Sequence, residues 1–337
     1  LPILKKTPGI RKSIQKWSTK FSGWIERKFE VIQPGIRIGS RASRLALVQA
    51  EYIKSRLQQT HPEVAFNIVK ISTQGDLNRR VSMGELPGVG FFVKEIEAAL
   101  MADEVDIAVH SLKDMPADVP PGLALTAVPE REDPRDALIS GGLSLSELPA
   151  GAKIGSDSLR RAFQIKAVRP DIQVVSIRGN IETRIKAVDT GQVDAVILAA
   201  AGLIRLGWRD RINQYLSLET FLPPPGQAAL GIEIRSGDDR SAALTAAVNH
   251  APTHQAVKAE RAFLRRLGGG CRAPIAALGT VDGAVLTLRG TVADESGRTI
   301  ITDQASGDVS AAEKVGIALA ERLLSLGAAQ FINKAGE

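Results

Sequence analysis

The chain has one cysteine in 337 residues. No disulfide can form within it, which suits a reducing compartment. It has no Cys-x-x-Cys and no histidine beside the cysteine, so a metal centre or thiol protease has no support. No apolar run approaches the roughly 20 residues that cross a bilayer, and no integral membrane contact is expected. A secretory apolar region is missing, so export is not expected. Gly-x-Gly-x-x-Gly spacing is absent after the first predicted strand, which removes the case for a dinucleotide site. What is present is ordinary for a folded protein: 44% of residues are hydrophobic, and the length calls for two or three domains.

The formal charge of +6 suggests nucleic-acid binding until it is located. Residues 1–35 hold eight lysines and arginines against Glu26 and Glu30, and the rest of the chain holds 35 residues of each sign. The body is therefore neutral, and no nucleic-acid partner is expected for it. In the basic extension Thr7-Pro8 reads as an N-cap followed by the first helical residue. Ile10, Ile14, Trp17, Phe21, Trp24 and Ile25 then recur at helical spacing between lysines and arginines. Such a basic amphipathic helix suits a membrane surface, an organelle-targeting segment, or an arm packed on its own body or a partner. The expected location is the cytoplasm, or an organelle matrix if residues 1–35 are a targeting segment. Because the chain begins at Leu1, further residues are expected upstream.

From Ile36 onward strands and helices alternate, which predicts parallel sheets with βαβ crossovers. Strands are expected at 36–38, 64–71 and 105–109. Helices are expected at 43–58, with Leu45, Val48, Tyr52 and Ile53 inward, and at 91–101. The pattern then repeats. Ile38-Gly39-Ser40 is matched by Ile154-Gly155-Ser156, and Val105-Asp106-Ile107-Ala108-Val109 by Val193-Asp194-Ala195-Val196-Ile197. Two similar α/β lobes follow, breaking near 129–134, with a ligand cleft at strand ends and helix starts between them. Pro223-Pro224-Pro225-Gly226 closes the second lobe, and the strand at 228–234 is expected to return to the first. A third unit begins near His250. It has a helix at 252–267, antiparallel strands at 275–281, 284–291 and 298–304 with a hairpin at Asp282-Gly283, and a closing helix at 311–326. The expected division is an extension at 1–35, a first lobe at 36–129 plus 229–247, a second at 130–228, and a smaller α+β domain at 248–337.

Arginines cluster at the predicted cleft: Arg41, Arg44, Arg160, Arg161, Arg178, Arg184 and Arg205. Their forks suit carboxylates or phosphates, and helix starts beside Ser40 and Ser156 add backbone donors. A polyanionic small molecule is implied. Lone arginines are usually solvated, but seven at strand–helix junctions of a neutral body argue for a site. Asp114 and Lys113 follow the buried strand at 105–109, where a carboxylate is placed to stabilise a cation or relay protons. His110 reads as a structural hydrogen-bonder. Cys271, in Gly268-Gly269-Gly270-Cys271-Arg272, sits on a glycine loop where a thiol is open to covalent attachment.

Together these stretches resemble the porphobilinogen deaminase (hydroxymethylbilane synthase) family. The matching segments include I-G-S-R-A-S-R-L-A-L-V-Q (38–49), D-I-A-V-H-S-L-K-D-M-P (106–116), I-G-S-D-S-L-R-R (154–161), I-R-G-N-I-E-T-R (177–184), P-P-G-Q-A-A-L-G-I-E (224–233) and G-G-G-C-R-A-P-I-A-A (268–277). The resemblance runs from about residue 36 to the C-terminus and excludes the extension. It implies two periplasmic-binding-protein-like lobes with a cleft between them, plus a smaller α+β C-terminal domain, in a monomer. It also implies that four porphobilinogens are deaminated and joined head to tail into hydroxymethylbilane, with ammonia released. A dipyrromethane cofactor is implied on Cys271 through a thioether. Asp114 is implied to bind pyrrole N–H groups and stabilise the azafulvene cation. Arg41, Arg160, Arg161, Arg178, Arg184 and Arg205 are implied to bind acetate and propionate groups, with Ser43 and Lys113 as further polar contacts. Three positions depart from the family pattern. Val89 stands where a lysine is common, Glu85 where a basic residue is frequent, and Ala228 where a glycine is usual.

A rival reading from the residues is a two-lobed binding protein for a polycarboxylate. It needs the cleft but neither Asp114 nor Cys271, so turnover of porphobilinogen separates the two.

Overall fold

The computed structural model describes residues 35–73, 93–268, 273–294 and 296–332. The extension helix, Glu85, Val89 and Cys271 lie outside the described residues.

The first lobe is built on a five-stranded sheet. β1 (Ile36–Arg41), β2 (Phe66–Ile71), β3 (Ile107–Ser111) and β4 (Leu123–Ala127) are joined by β10 (Leu230–Arg235), in the order β2-β1-β3-β10-β4. The second lobe has β5 (Asp136–Ile139), β6 (Lys153–Gly155), β7 (Gln173–Val175), β8 (Ala195–Ala199) and β9 (Gln214–Tyr215), in the order β7-β6-β8-β5-β9. The sheets are mixed and not parallel throughout as expected. β10 runs antiparallel to β3 and β4, and β5 antiparallel to β8 and β9. Both strands arrive from chain that has crossed between lobes, so neither is bound by the handedness of a local βαβ crossover.

The internal repeat holds to the residue. Ile38 pairs with Ile107 and Gly39 with Ala108; Ile154 pairs with Ala195 and Gly155 with Val196. The repeated aspartates have one job. Asp106 N–H donates to Arg37 O and its Oδ2 accepts from Arg37 N–H (2.8 Å). Asp194 does the same with Lys153 (2.7 Å). Each supplies the partners that a strand start would otherwise take from water.

Between strands lie α1 (Arg44–Thr60), α2 (Lys94–Met101), α3 (Leu159–Val168), α4 (Ile181–Asp189), α5 (Ala200–Arg205) and α6 (Asp239–Ala246). In α1 the buried stripe is Gln49, Ala50, Ile53 and Leu57. Tyr52, expected inward, is 40% exposed, since it sits about 100° round the helix from Ile53. Buried aliphatic side chains such as Ile38, Ile53, Ile107 and Ile232 form the first lobe's core, and Leu138, Ile154, Ile165 and Ile197 the second's.

In the C-terminal unit α7 (Ala251–Leu267) begins at His250, whose ring nitrogen caps Thr253 N–H, and ends at Gly268 with φ +74°. β11 (Ile275–Asp282), β12 (Val285–Ala293) and β13 (Ile300–Asp308) form an antiparallel meander, with Gly283 at φ +54° in the expected hairpin turn. Phe263 of α7 and Leu319 of α8 (Ala312–Ser325) pack on it, and α9 (Ala329–Ile332) follows.

Glu260 of α7 is fully buried and joins this unit to both crossings between lobes. Its Oε1 accepts from Arg131 Nη2 and Gly279 N–H, each at 2.8 Å, and its Oε2 accepts from Gly226 N–H at 2.7 Å.

Candidate active site

A cavity of about 620 Å³ opens between the lobes, within the range of small-molecule sites. One wall is the carboxyl end of the first sheet. β3 runs into a short turn, Leu112–Asp114, with Leu112 and Met115 each 2% exposed. Those two apolar anchors leave Lys113 and Asp114 between them on the cavity wall. The turn is also braced from behind: Leu112 N–H donates to Ala229 O at 3.1 Å. Burial pulls the Lys113 ammonium below its ordinary value, with Asp114 beside it acting the other way. Arg41 ends β1 and Ser43 caps α1, its Oγ accepting from Ala46 N–H; both line the cavity.

The facing wall comes from the second lobe: Arg161 near the start of α3, Arg178 and Arg184 around the N-cap Asn180 of α4, and Arg205 at the end of α5. Arg184 Nε donates to Gly179 O (3.0 Å), and Arg205 Nη2 to Ala228 O (2.7 Å). Burial lowers both guanidiniums from their ordinary values, and for Arg184 the neighbouring Arg161 and Arg178 add to the effect. Asp157 opposes the shift at Arg184, and Glu132 that at Arg205.

Arg160 is not on the wall. It is 4% exposed, and its fork donates to Asp136 Oδ2 (2.7 Å), Gln164 Oε1 and Leu222 O. Arg161 donates to Asp136 Oδ1 at 2.8 Å, yet reaches the cavity and keeps a buried Nε with no partner. Asp136 is wholly buried. Burial alone would raise its carboxyl, but the two guanidiniums hold it well below the usual carboxylate range. His110 has the structural role expected, Nε2 lying 3.0 Å from Glu233 Oε2 inside the first lobe. Ala228 adopts φ +68°, which explains why glycine suits that place.

Sequence reasoning missed Gln49 and Ser111, which share a hydrogen bond (Ser111 Oγ to Gln49 Oε1, 3.1 Å) on the cavity wall. A signal was there for Gln49, a polar residue in the apolar stripe of α1. Asp157 and Glu182 also line the cavity.

An α/β fold of two repeated lobes, with guanidiniums from both lining one cavity beside a carboxylate-bearing turn, is the arrangement of a small-molecule site suited to polycarboxylates. The comparisons with known proteins narrow this. Residues 36–243 match the model of the porphobilinogen deaminase dipyrromethane cofactor binding domain, and residues 254–325 the porphobilinogen deaminase C-terminal domain. The porphobilinogen deaminase of Geobacter metallireducens is 52% identical over 297 residues, covering 88% of this chain and 93% of that protein. That of Syntrophotalea carbinolica is 49% identical, covering 88% and 95%. Among solved structures, the BvgS periplasmic VFT2 domain of Bordetella pertussis aligns with 66% of this chain and 90% of that chain at 17% identity. Its TM-score is 0.39, a likeness too loose to bear on the site. The chain belongs to the porphobilinogen deaminase family.

Proposed function

We propose that the cleft holds porphobilinogen and the lengthening polypyrrole through carboxylate–guanidinium pairs, with Asp114 as the carboxylate that meets the reacting pyrroles. The activity is that of a hydroxymethylbilane synthase, a transferase that deaminates four porphobilinogens and joins them head to tail. The observation that carries this reading is the convergence of Arg41, Arg161, Arg178, Arg184 and Arg205 on the cavity that Asp114 lines.

The same residues fit a dipyrromethane. Each of its pyrroles carries an acetate and a propionate, the acceptors that suit the guanidiniums lining the cavity. Cys271 would hold the group by a thioether, with Arg41, Ser43, Lys113, Arg161, Arg178, Arg184 and Arg205 around its carboxylates. When bound, it supplies the pyrrole carbon from which the chain extends. Arg160 acts on these carboxylates only through the shared Asp136.

Asp114 accepts hydrogen bonds from substrate pyrrole N–H groups. As the aminomethyl C–N bond breaks and its electron pair leaves with ammonia, the cation left behind is stabilised by this fixed carboxylate. A preorganised charge of this kind is worth about 10²–10³ in rate. Substrate that fills the cavity would displace water from it, which strengthens the attraction.

The body divides, in this reading, at 36–129 plus 229–247, 130–228 and 248–337. A monomer suffices, since both walls of the cavity come from one chain. A free thiol that forms a thioether suits the cytoplasm. Among the described residues no helix is long and apolar enough to cross a membrane.

Porphobilinogen consumption with the product's mass recorded tests the activity. Asp114→Asn should lower turnover at least about 100-fold with an unchanged melting temperature; a wild-type rate would overturn the role given to Asp114. Cys271→Ser should give intact protein lacking the dipyrromethane mass, and an adduct that persisted would refute the attachment site.

A further inference from the structure

Among the described residues, Arg44 is the one cation on the cavity wall that the reading above leaves without work. It opens α1, directly after Ser43, and its side chain is 60% exposed. Its Nη1 lies 3.6 Å from Glu182 Oε1 in the first turn of α4, and its guanidinium stacks over the Trp208 ring at 5.0 Å, just past α5. Arg44 thus reaches from the first lobe to two elements of the second. The contact is loose. Arg160 and Arg161 meet Asp136 at 2.7 and 2.8 Å in a buried setting, whereas Arg44 and Glu182 stand beyond hydrogen-bond range in partial solvent. A buried fork at short range is fixed, while an exposed ion pair at 3.6 Å is readily traded for another anion.

We propose that Arg44 is an exchangeable cation at the edge of the cleft. With few pyrroles bound, it bridges the lobes through Glu182 and Trp208. As pyrroles are added, each brings two carboxylates and the inner arginines become occupied. Arg44 then leaves Glu182 for a carboxylate of the lengthening chain, so binding of late pyrroles and loosening of the lobes are one event. Glu182 is a competitor for substrate, and Arg44 a positioning residue for the later additions. This rests on the polypyrrole reading of the cleft.

Exchange and simple bridging predict different signs. If Arg44 only bridges, Arg44→Gln and Glu182→Gln both loosen the lobes and move the apparent KM for porphobilinogen the same way. If it exchanges, Arg44→Gln raises KM and Glu182→Gln lowers it, each by about two- to five-fold. Native mass spectra should show early polypyrrole adducts accumulating in Arg44→Gln and late ones in Glu182→Gln. Arg44→Lys and Glu182→Asp serve as folded comparators with charge kept. In a Trp17→Phe, Trp24→Phe background, Trp208 emission should change on adding porphobilinogen, and Arg44→Gln should abolish the change. Wild-type protein that neither carries a primer mass nor consumes porphobilinogen sinks the cleft reading itself. Wild-type turnover with both variants shifted in one direction, or unshifted, sinks the exchange alone.

Discussion

The junction at Glu260 offers the most exacting test of how the parts are held together. Glu260→Gln changes no shape and removes one charge. In the native protein both carboxylate oxygens only accept: Oε1 from Arg131 Nη2 and Gly279 N–H, Oε2 from Gly226 N–H. A glutamine has one accepting end. Turned to keep Arg131 and Gly279, it sets its NH₂ against the buried Gly226 N–H; turned the other way, it opposes two donors. The better choice still strands one buried donor, costing about 1–3 kcal/mol. It also removes the charge facing an Arg131 whose side chain is only 10% exposed. Breaking a buried pair from one side costs about 3–5 kcal/mol in all. At roughly 2 °C per kcal/mol for a chain of this size, the melting temperature should fall by about 6–10 °C. Scanning calorimetry on matched preparations reads this directly. A fall of less than 2 °C would mean that Glu260 is not the tie between the C-terminal unit and the two crossings.

Gly226→Ala is expected to hit activity harder than stability. At φ +75° an added Cβ would stand 2.9 Å from the Leu112 carbonyl carbon. The strain of about 1–3 kcal/mol falls on the turn that carries Asp114. A kcat within two-fold of wild type would show that this turn is not held by the crossing. Asp136→Asn should cost about 3–5 kcal/mol at neutral pH, by leaving Arg160 and Arg161 uncompensated. The folded state depresses this carboxyl below its ordinary 3.8. Its contribution is therefore full above pH 3.8 and fades as pH falls below it. In urea titrations the gap between wild type and variant should narrow only under about pH 4; a gap already narrowing at pH 6 would contradict the assignment.

Much of the fold was legible because its signals are local. Both lobes repeat a strand, a glycine and a Val-Asp pair, and the register pairs equivalent residues. The hairpin at Gly283 and the stop at Gly268 also sit where glycine demanded them. What hydrophobic spacing could not convey was strand direction. β5 and β10 look like any apolar run, and their antiparallel course follows from where the chain has been, not from their own residues. Tyr52 failed for a smaller reason: the buried stripe of α1 runs through Gln49, Ala50, Ile53 and Leu57, and its polar member Gln49 bonds Ser111 on the cavity wall.

The candidate site was legible as a set of residue types and less so as a set of partners. Arg160 and Arg161 read as a matched pair, yet they end in different surroundings, Arg160 inside the lobe and Arg161 on the cavity wall. Both turn toward Asp136, one to each oxygen, each keeping a buried Nε with no partner in the protein, and only Arg161 lines the cavity. A single buried aspartate at the start of β5 thus holds both, and no spacing rule links positions 136 and 160. The neutral charge of the body has the same character. Among the described residues, seven cations line the cavity with Asp114, Asp157 and Glu182, while other acids sit in ion pairs elsewhere, such as Asp106 with Arg37 and Arg235. Overall composition averages these two populations away. The fold separates them, gathering guanidiniums around the cavity that Asp114 lines.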